Sequence, residues 1–458
     1  MIRVCINSQT PPLRPLRGAG RSGTLWRSGV DYEPNVGGVV PMMRALLRAS
    51  VGRWIAPHPR WVALGGPGLP PLVRTDDGFL LETFSLEGSA RARYSDFKEA
   101  IWRSFHGPST FRFPMESYPA FVEYSCRAAS RLLDHLESYD LFYVNDFQQL
   151  LVGGLIGSAA PALLRWHIPV DLQGYPEPVR RFFVKAMEGF DAIVVSTRAG
   201  LEELIRSGFQ GRAFQVYPYL DPTAQRTASP SEVSAFRARY GLPERSPIVL
   251  SVARMDPVKR HDLLLAAFAQ VRRRHPSARL VLAGGASFST QSLSGRDAPS
   301  KAERWERELR QEIRSRGLEG SVVLPGSLTE PELQAVYTSA QVFVHPAPWE
   351  GFGLVAVEAW CHKLPVVVSD GAGVSELVDD DVNGYTYPAG SVSAMGQRIS
   401  QLLSRPEEAL RMGEVGALSA RRCFVGPAAA RLRDIFERTI ELYDQAGLRV
   451  PVPPGGLA

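Results

Sequence analysis

Two glutamates bracket a glycine turn in Trp349-Glu350-Gly351-Phe352-Gly353-Leu354-Val355-Ala356-Val357-Glu358, with seven residues between Glu350 and Glu358. The segment follows a short apolar run and opens a helical pattern. Gly351 and Gly353 permit dihedrals and a close backbone approach that a Cβ would forbid. The amides around Phe352, Leu354 and Val355 then face an anion at a helix start, where the dipole favours a phosphate by about 0.3–2 kcal/mol. Glu358 lies about two turns along the same helix face. A carboxylate accepts hydrogen bonds, so Glu350 and Glu358 each suit a diol. A cationic set precedes them in Ser251-Val-Ala-Arg254-Met-Asp-Pro-Val-Lys259-Arg260. An arginine forks onto two phosphate oxygens and a lysine adds a mobile point charge, which together suit a diphosphate. Either motif alone reads as an ordinary strand–turn–helix corner with solvated side chains. Their coincidence describes a diphosphate carrying a hydroxylated ring on each side, as a nucleotide sugar does.

The first half offers fewer charged groups. Gly37 and Gly38, in Val36-Gly37-Gly38-Val39-Val40, follow an Arg/Pro/Gly-rich stretch and begin a helix. They are either a flexible helix start or a second set of amides for the phosphate. Tyr143-Val-Asn145-Asp146-Phe147-Gln148 ends one strand pattern and Arg165-Trp166-His167-Ile168-Pro169 ends the next. Polar groups at neighbouring carboxyl strand ends converge on the ligand crevice of an open α/β sheet. A lone histidine is more often structural, but His167 stands directly before Ile-Pro at such an end. The segment Pro11–Asp31 is long enough for a lid. Its Arg14, Arg17 and Arg21 would meet an anionic acceptor or, more simply, stay solvated.

These residues need elements to hold them. Strands are expected at Ile2–Ile6, Trp61–Leu64, Leu141–Val144, Leu163–His167, Ala192–Ser196 and Ala213–Val216. The second half adds Ile248–Val252, Arg279–Ala283, Val322–Leu324, Val342–Val344 and Pro365–Val368. Helical patterns such as Phe121–Glu137, Glu177–Glu188, Asp262–Arg273, Ala302–Arg316, Glu330–Ser339 and Val355–Cys361 lie between them. This alternation predicts βαβ units and parallel sheets, an α/β fold. A polar break near Asp221–Ser246, with Pro222 and Pro230, divides the chain. The expected domains are 1–225, binding the acceptor, and 226–427, binding the nucleotide sugar, with a last helix in 428–458 packing back on the first. Two Rossmann-like domains would then face a central cleft. The stretch Ser287–Ser300 reads as a long surface loop and the tail Arg449–Ala458 as disordered.

Composition narrows the class. At 458 residues two cores are expected. The net charge of +5 is mild, and no basic block interleaves with aromatics, so nucleic acid is not an expected partner. Cys5, Cys126, Cys361 and Cys423 form no CxxC pair, which suggests a reducing compartment and no zinc site. The start, Met1-Ile-Arg-Val-Cys-Ile6, lacks the regions of a signal peptide. Leu150–Leu164, the most apolar stretch, is broken by Gly153, Gly154, Gly157 and Pro161, short of the roughly 20 residues of a membrane span. A cytoplasmic protein without stable membrane insertion is the expectation, with a homodimer as the prior oligomeric state.

The second half resembles the nucleotide-binding domain of the family-4 retaining glycosyltransferases, which have the two-domain GT-B fold. The carriers are Val252-Ala-Arg254…Lys259, Ala283-Gly-Gly285, Gly326-Ser-Leu328, Glu350…Glu358, and Pro365-Val-Val-Val-Ser-Asp370…Glu376…Asn383-Gly384. The resemblance implies that Arg254 and Lys259 bind the donor diphosphate, Glu350 contacts the transferred sugar and Glu358 holds the ribose. Where such proteins often have glycine before the strand's proline, this chain has Leu364. The two first-half strand ends are similar to those of trehalose-forming glucosyltransferases. That likeness implies acceptor hydroxyls on Asp146, with Asn145 and Gln148 beside it, and the donor sugar on His167. Asn145 stands where a histidine is usual.

The expected reaction is retaining transfer of a hexose, glucose by resemblance, to glucose or a sugar phosphate. Catalysis would rest on His167, Arg254, Lys259 and Glu350. No Asp-x-Asp motif is placed to hold Mg²⁺, and Asp379-Asp380-Asp381 reads as a solvated turn, so neither metal nor cofactor is expected. The rivals are a disaccharide phosphorylase on the same scaffold, to which Glu358 would be useless, and an inactive sugar-nucleotide sensor. A dehydrogenase fails because no GxGxxG follows either first strand.

Overall fold

A computed structural model describes residues 1–16, 19, 25–35, 37–107, 112–285 and 300–446. Arg17, Arg21, nearly all of the stretch 287–300 and the tail 449–458 therefore lie outside the described residues. The chain forms two compact units, Met1–Pro218 with Val425–Ala458, and Tyr219–Phe424.

The first unit carries β1 (Val4–Ser8), β2 (Leu13–Pro15), β3 (Leu25–Trp26), β4 (Tyr32–Pro34), β5 (Arg60–Leu64), β6 (Leu72–Thr75), β7 (Leu80–Phe84), β8 (Leu141–Asn145), β9 (Ala162–Arg165), β10 (Ala192–Val195) and β11 (Ala213–Gln215). Its described residues form a nine-stranded sheet in the order β11-β10-β9-β8-β1-β5-β7-β6-β3, beside a β2-β4 ribbon. From β11 to β7 every neighbouring pair is parallel. All five positions of β8 and all four of β9 are buried, as strands covered on both faces require. One face is covered by Phe97, Phe121, Tyr124 and Phe183 of three intervening helices. The helix Val425–Gln445 also belongs to this unit. Phe436 on it meets Trp54 and Tyr143 edge-on, at 5.6 and 5.0 Å. Burying such a ring contributes about 1.5–3 kcal/mol.

The second unit carries β12 (Ile248–Val252), β13 (Arg279–Ala283), β14 (Val322–Gly326), β15 (Val342–His345), β16 (Val366–Ser369) and β17 (Gly384–Tyr387). They form a parallel sheet in the order β14-β13-β12-β15-β16-β17. In each unit the chain works outward from its first strand and then crosses to that strand's other side. The strand order thus reverses between β1 and β8, and again between β12 and β15. Crevices for ligands open beyond the carboxyl ends of such neighbours. No helix among the described residues is long and apolar enough to cross a membrane.

Three details depart from the sequence reading. The first strand runs to Ser8, because its polar end finds partners inside the sheet: Asn7 Nδ2 donates to the Val62 carbonyl at 3.1 Å and Trp61 Nε1 to Ser8 Oγ at 2.8 Å. The described part of Pro11–Asp31 is not a free loop. Asn35 Nδ2 donates to the carbonyls of Pro11 and Leu13, and Tyr32 Oη lies 2.6 and 2.8 Å from the Asp76 and Asp77 carboxylates. Arg14 pairs with Glu33. The corner before β16 makes its conformational demand at Lys363, with φ +58°, rather than at Leu364, which is simply buried. A left-handed residue just past a helix end is a position that favours glycine.

Candidate functional site

At the carboxyl end of β12 the chain turns sharply through Ala253 and Arg254. Gly284 makes that turn possible. Its φ is +143°, and a Cβ there would fall 1.8 Å from the Ala253 carbonyl oxygen. The Ala253 amide donates to Ala283 at 3.0 Å and the Met255 amide to Gly285 at 3.1 Å. Asp256 then anchors the loop from a buried position, accepting from the Val258 amide at 3.2 Å and from Lys301 Nζ at 3.0 Å. Burial opposes its ionisation, but Lys301 and Arg254 prevail and hold the carboxyl below its usual range. The single 3₁₀ turn Pro257–Lys259 that follows delivers Lys259 inward.

Lys259 Nζ pairs with Glu350 Oε2, their side chains only 10% and 16% exposed. His345, the last residue of β15, brings Nε2 within 3.7 Å of the same carboxylate oxygen. Its side chain is 2% exposed, and both ring nitrogens are buried without a hydrogen-bond partner among the described residues. The segment carrying Glu350 is strapped to the loop after β16. Gly373 donates to the Glu350 carbonyl at 3.0 Å and Val374 to that of Phe352 at 2.8 Å. Gly353, at φ +101°, then starts the helix Leu354–Cys361, and no side chain caps it. Its first amides keep their capacity for an anion.

Glu358 is partly buried on that helix, and Tyr337 Oη donates to its Oε2 at 2.9 Å. Desolvation pushes its carboxyl up to about 7, against the opposing Tyr337 bond. The β12/β15 reversal thus gathers Lys259, Glu350 and the Gly351–Gly353 bend, with Arg254 at the strand end and Glu358 on the helix. His345 and Tyr337 escaped the sequence reading. His345 fell just past the strand expected at Val342–Val344, and nothing in the Tyr337 pattern distinguishes it from a core residue.

In the first unit, Asn145 ends β8 and His167 follows β9. Asn145 is 1% exposed. Its Nδ2 donates to the Tyr143 carbonyl at 3.1 Å and to that of Asn7 at 3.4 Å, while Oδ1 lies 3.1 Å from His167 Nε2. Asp146, at φ +75°, accepts from the His167 amide at 3.4 Å. Gln148 is partly exposed in the 3₁₀ turn Phe147–Gln149. Burial, aided by Arg165, lowers the His167 pKa well below that of a free imidazole. Arg165 is fully buried, with Nη2 donating to the Val216 carbonyl at 2.7 Å. Gly37 and Gly38 are exposed ahead of the helix Val39–Ser50, which also has no side-chain cap.

Among the described residues, no group of three or more His, Cys, Asp or Glu could hold a metal ion. The Asp379–Asp381 turn is not merely solvated. Asp380 pairs with Arg398 at 2.8 Å, and Asp381 accepts from Tyr385 Oη at 2.6 Å.

Residues 232–418 match the family model described as Glycosyl transferases group 1. The chain is 33% identical to a D-inositol 3-phosphate glycosyltransferase of Segniliparus rotundus over 193 residues, 42% of this chain and 40% of that protein. The match therefore spans well under two thirds of this relative's length. Among solved structures, the α,α-trehalose 6-phosphate synthase of Burkholderia multivorans is similar with a TM-score of 0.75. It is 20% identical, with 99% of each chain covered. Anabaena HepE in complex with UDP-glucose is similar with a TM-score of 0.68 at 17% identity, covering 96% of this chain and all of that one. These likenesses identify the fold as GT-B.

Proposed function

We propose that the chain is a retaining hexosyltransferase, moving a hexose from a nucleotide sugar to a small hydroxylated acceptor such as glucose or a sugar phosphate. The observation that carries this reading is the contact between Lys259 and Glu350 beside an uncapped helix start. A cation suited to a diphosphate and a carboxylate suited to sugar hydroxyls stand side by side where the strand order reverses. The group 1 match over this stretch and the UDP-glucose held by a protein of the same fold support it. The names of the similar proteins, acting on an inositol phosphate or forming a trehalose phosphate, favour a small polyhydroxylated acceptor bearing phosphate.

Transfer breaks the bond from the anomeric carbon to the diphosphate, leaving an oxocarbenium-like sugar and a charged leaving group. Arg254, Lys259 and the first amides of the helix Leu354–Cys361 offset that charge, with no divalent cation in the scheme. Glu350 holds the transferred sugar and Glu358 the ribose. Asp146 and Gln148 bind the acceptor. Attack comes from the face the diphosphate leaves, and a departing phosphate oxygen takes the acceptor's proton.

The test is a matrix of UDP-, ADP- and GDP-sugars against glucose, glucose phosphate and inositol phosphate, read by released nucleotide. Release that requires both a donor and an acceptor is expected. Turnover of a disaccharide with inorganic phosphate, and none with any nucleotide sugar, would establish a phosphorylase instead.

A further inference from the structure

Asn145 is buried at the end of β8, and its surroundings leave its amide one orientation. A carbonyl cannot donate, so the nitrogen must be the atom facing the Tyr143 and Asn7 carbonyls. Oδ1 is then the atom facing His167 Nε2 at 3.1 Å, and an amide oxygen there requires a proton on Nε2. The His167 backbone amide donates to Asp146 Oδ1 at 3.4 Å, which fixes the main chain beside the ring. Nδ1 makes no hydrogen bond among the described residues, and the side chain is partly exposed.

We infer that Asn145 is a positioning residue that locks His167 in its Nε2–H tautomer, so that Nδ1 is a fixed hydrogen-bond acceptor reserved for a hydroxyl and closed to phosphate or carboxylate. The inference deepens the proposed function, because it rests on reading His167 as a residue that faces sugar. It also changes the role expected of Asn145. With Nδ2 on two carbonyls and Oδ1 on the imidazole, a residue 1% exposed acts through His167 and not on the acceptor. The ring's charged neighbours agree with a neutral imidazole. Burial and the Arg165 guanidinium two residues earlier both disfavour a proton on it, and the Asp146 carboxylate contacts the backbone amide, not the ring. A histidine at position 145 would leave the tautomer open, since either of its nitrogens can donate or accept.

The test is imidazole ¹⁵N spectroscopy of the full chain, with the His167 resonances assigned from their loss in His167→Gln. Two unlike signals are expected, Nε2 in the protonated range and Nδ1 in the bare range, unchanged from pH 6 to 8. Asn145→Leu should collapse them toward an exchange average. Asn145→Asp should keep Nε2–H and bring the ring's titration into that window, with kcat/KM falling about tenfold between pH 8 and 6. Inorganic phosphate should leave the wild-type Nδ1 signal in place. A proton on Nδ1 in the wild type, an averaged pair, or a phosphate-induced shift of Nδ1 toward the protonated range would overturn the inference. If no nucleotide sugar is turned over by any form, the transferase reading fails, while the ¹⁵N signals still decide the tautomer.

Discussion

The two strand-order reversals present opposite electrostatic solutions. Beyond β12 and β15, charges face one another: Lys259 on Glu350, His345 behind them, and Asp256 between Lys301 and Arg254. Beyond β8 and β9, the central contact is neutral and directional, an amide fixed by two carbonyls holding one nitrogen of an imidazole, with Asp146 and Arg165 flanking it. A charged site suits a leaving group whose own charge grows during reaction. A neutral contact suits hydroxyls, where the direction of each hydrogen bond carries the selectivity. The charged site is self-paired, so a diphosphate bound as proposed would have to draw Lys259 away from Glu350.

The largest break in this contrast should come from the charged side. Arg254→Ala is expected to lower kcat about 10²–10³-fold, as loss of one donor to a developing anion does. Steady-state kinetics checks it, and a kcat within threefold of wild type would remove the electrostatic account. Lys259→Met should cost about as much, with partial recovery in Lys259→Arg.

A smaller effect follows from Glu358. Burial pushes its carboxyl up to about 7, and the ionised form is the stronger acceptor for a diol's hydroxyls. The donor KM should therefore rise about tenfold from pH 8 to pH 6 with kcat little changed, and Glu358→Gln should flatten that slope. Because burial raises this carboxyl, the folded chain holds a proton that the unfolded chain releases near pH 4.5. The wild type should lose stability relative to Glu358→Gln as pH rises from about 4.5 to about 7. Parallel melting curves across that window would expose a carboxyl of ordinary pKa.

The smallest effect lies at the corner joining the helix Leu354–Cys361 to β16. Lys363 holds φ +58°, so Lys363→Gly should stabilise the chain by about 0.5–1 kcal/mol, read as a shift in denaturation midpoint with activity unchanged. Destabilisation would mean that the lysine side chain matters more than its backbone.

The charged site was the more legible in sequence, and for a physical reason. Its residues sit within short segments, Arg254–Lys259 and Glu350–Glu358, where spacing alone fixes their face of a turn or helix. The alternation of apolar runs with helical patterns likewise disclosed two parallel sheets. Pairing across long separations was hidden. Nothing local tells that Lys259 reaches Glu350, that Tyr337 bonds Glu358, or that Asn145 turns toward His167. Short edge strands were hidden too, since β2, β3 and β4 hold only two or three residues and rely on partners such as Asn35 and Asp76. Asn7 and Ser8 show the same limit, as their polarity disguises a fully buried strand end.

The most direct test of the central claim is titration calorimetry of uridine diphosphate and of inorganic phosphate into the full-length chain and into Arg254→Ala. Binding of the nucleotide to the wild type, weakened at least tenfold in the variant, with orthophosphate giving no measurable heat at the same concentration, is the predicted result. Equal nucleotide affinity in both proteins, or tight orthophosphate binding without nucleotide binding, would contradict a diphosphate grip at the carboxyl end of the second sheet.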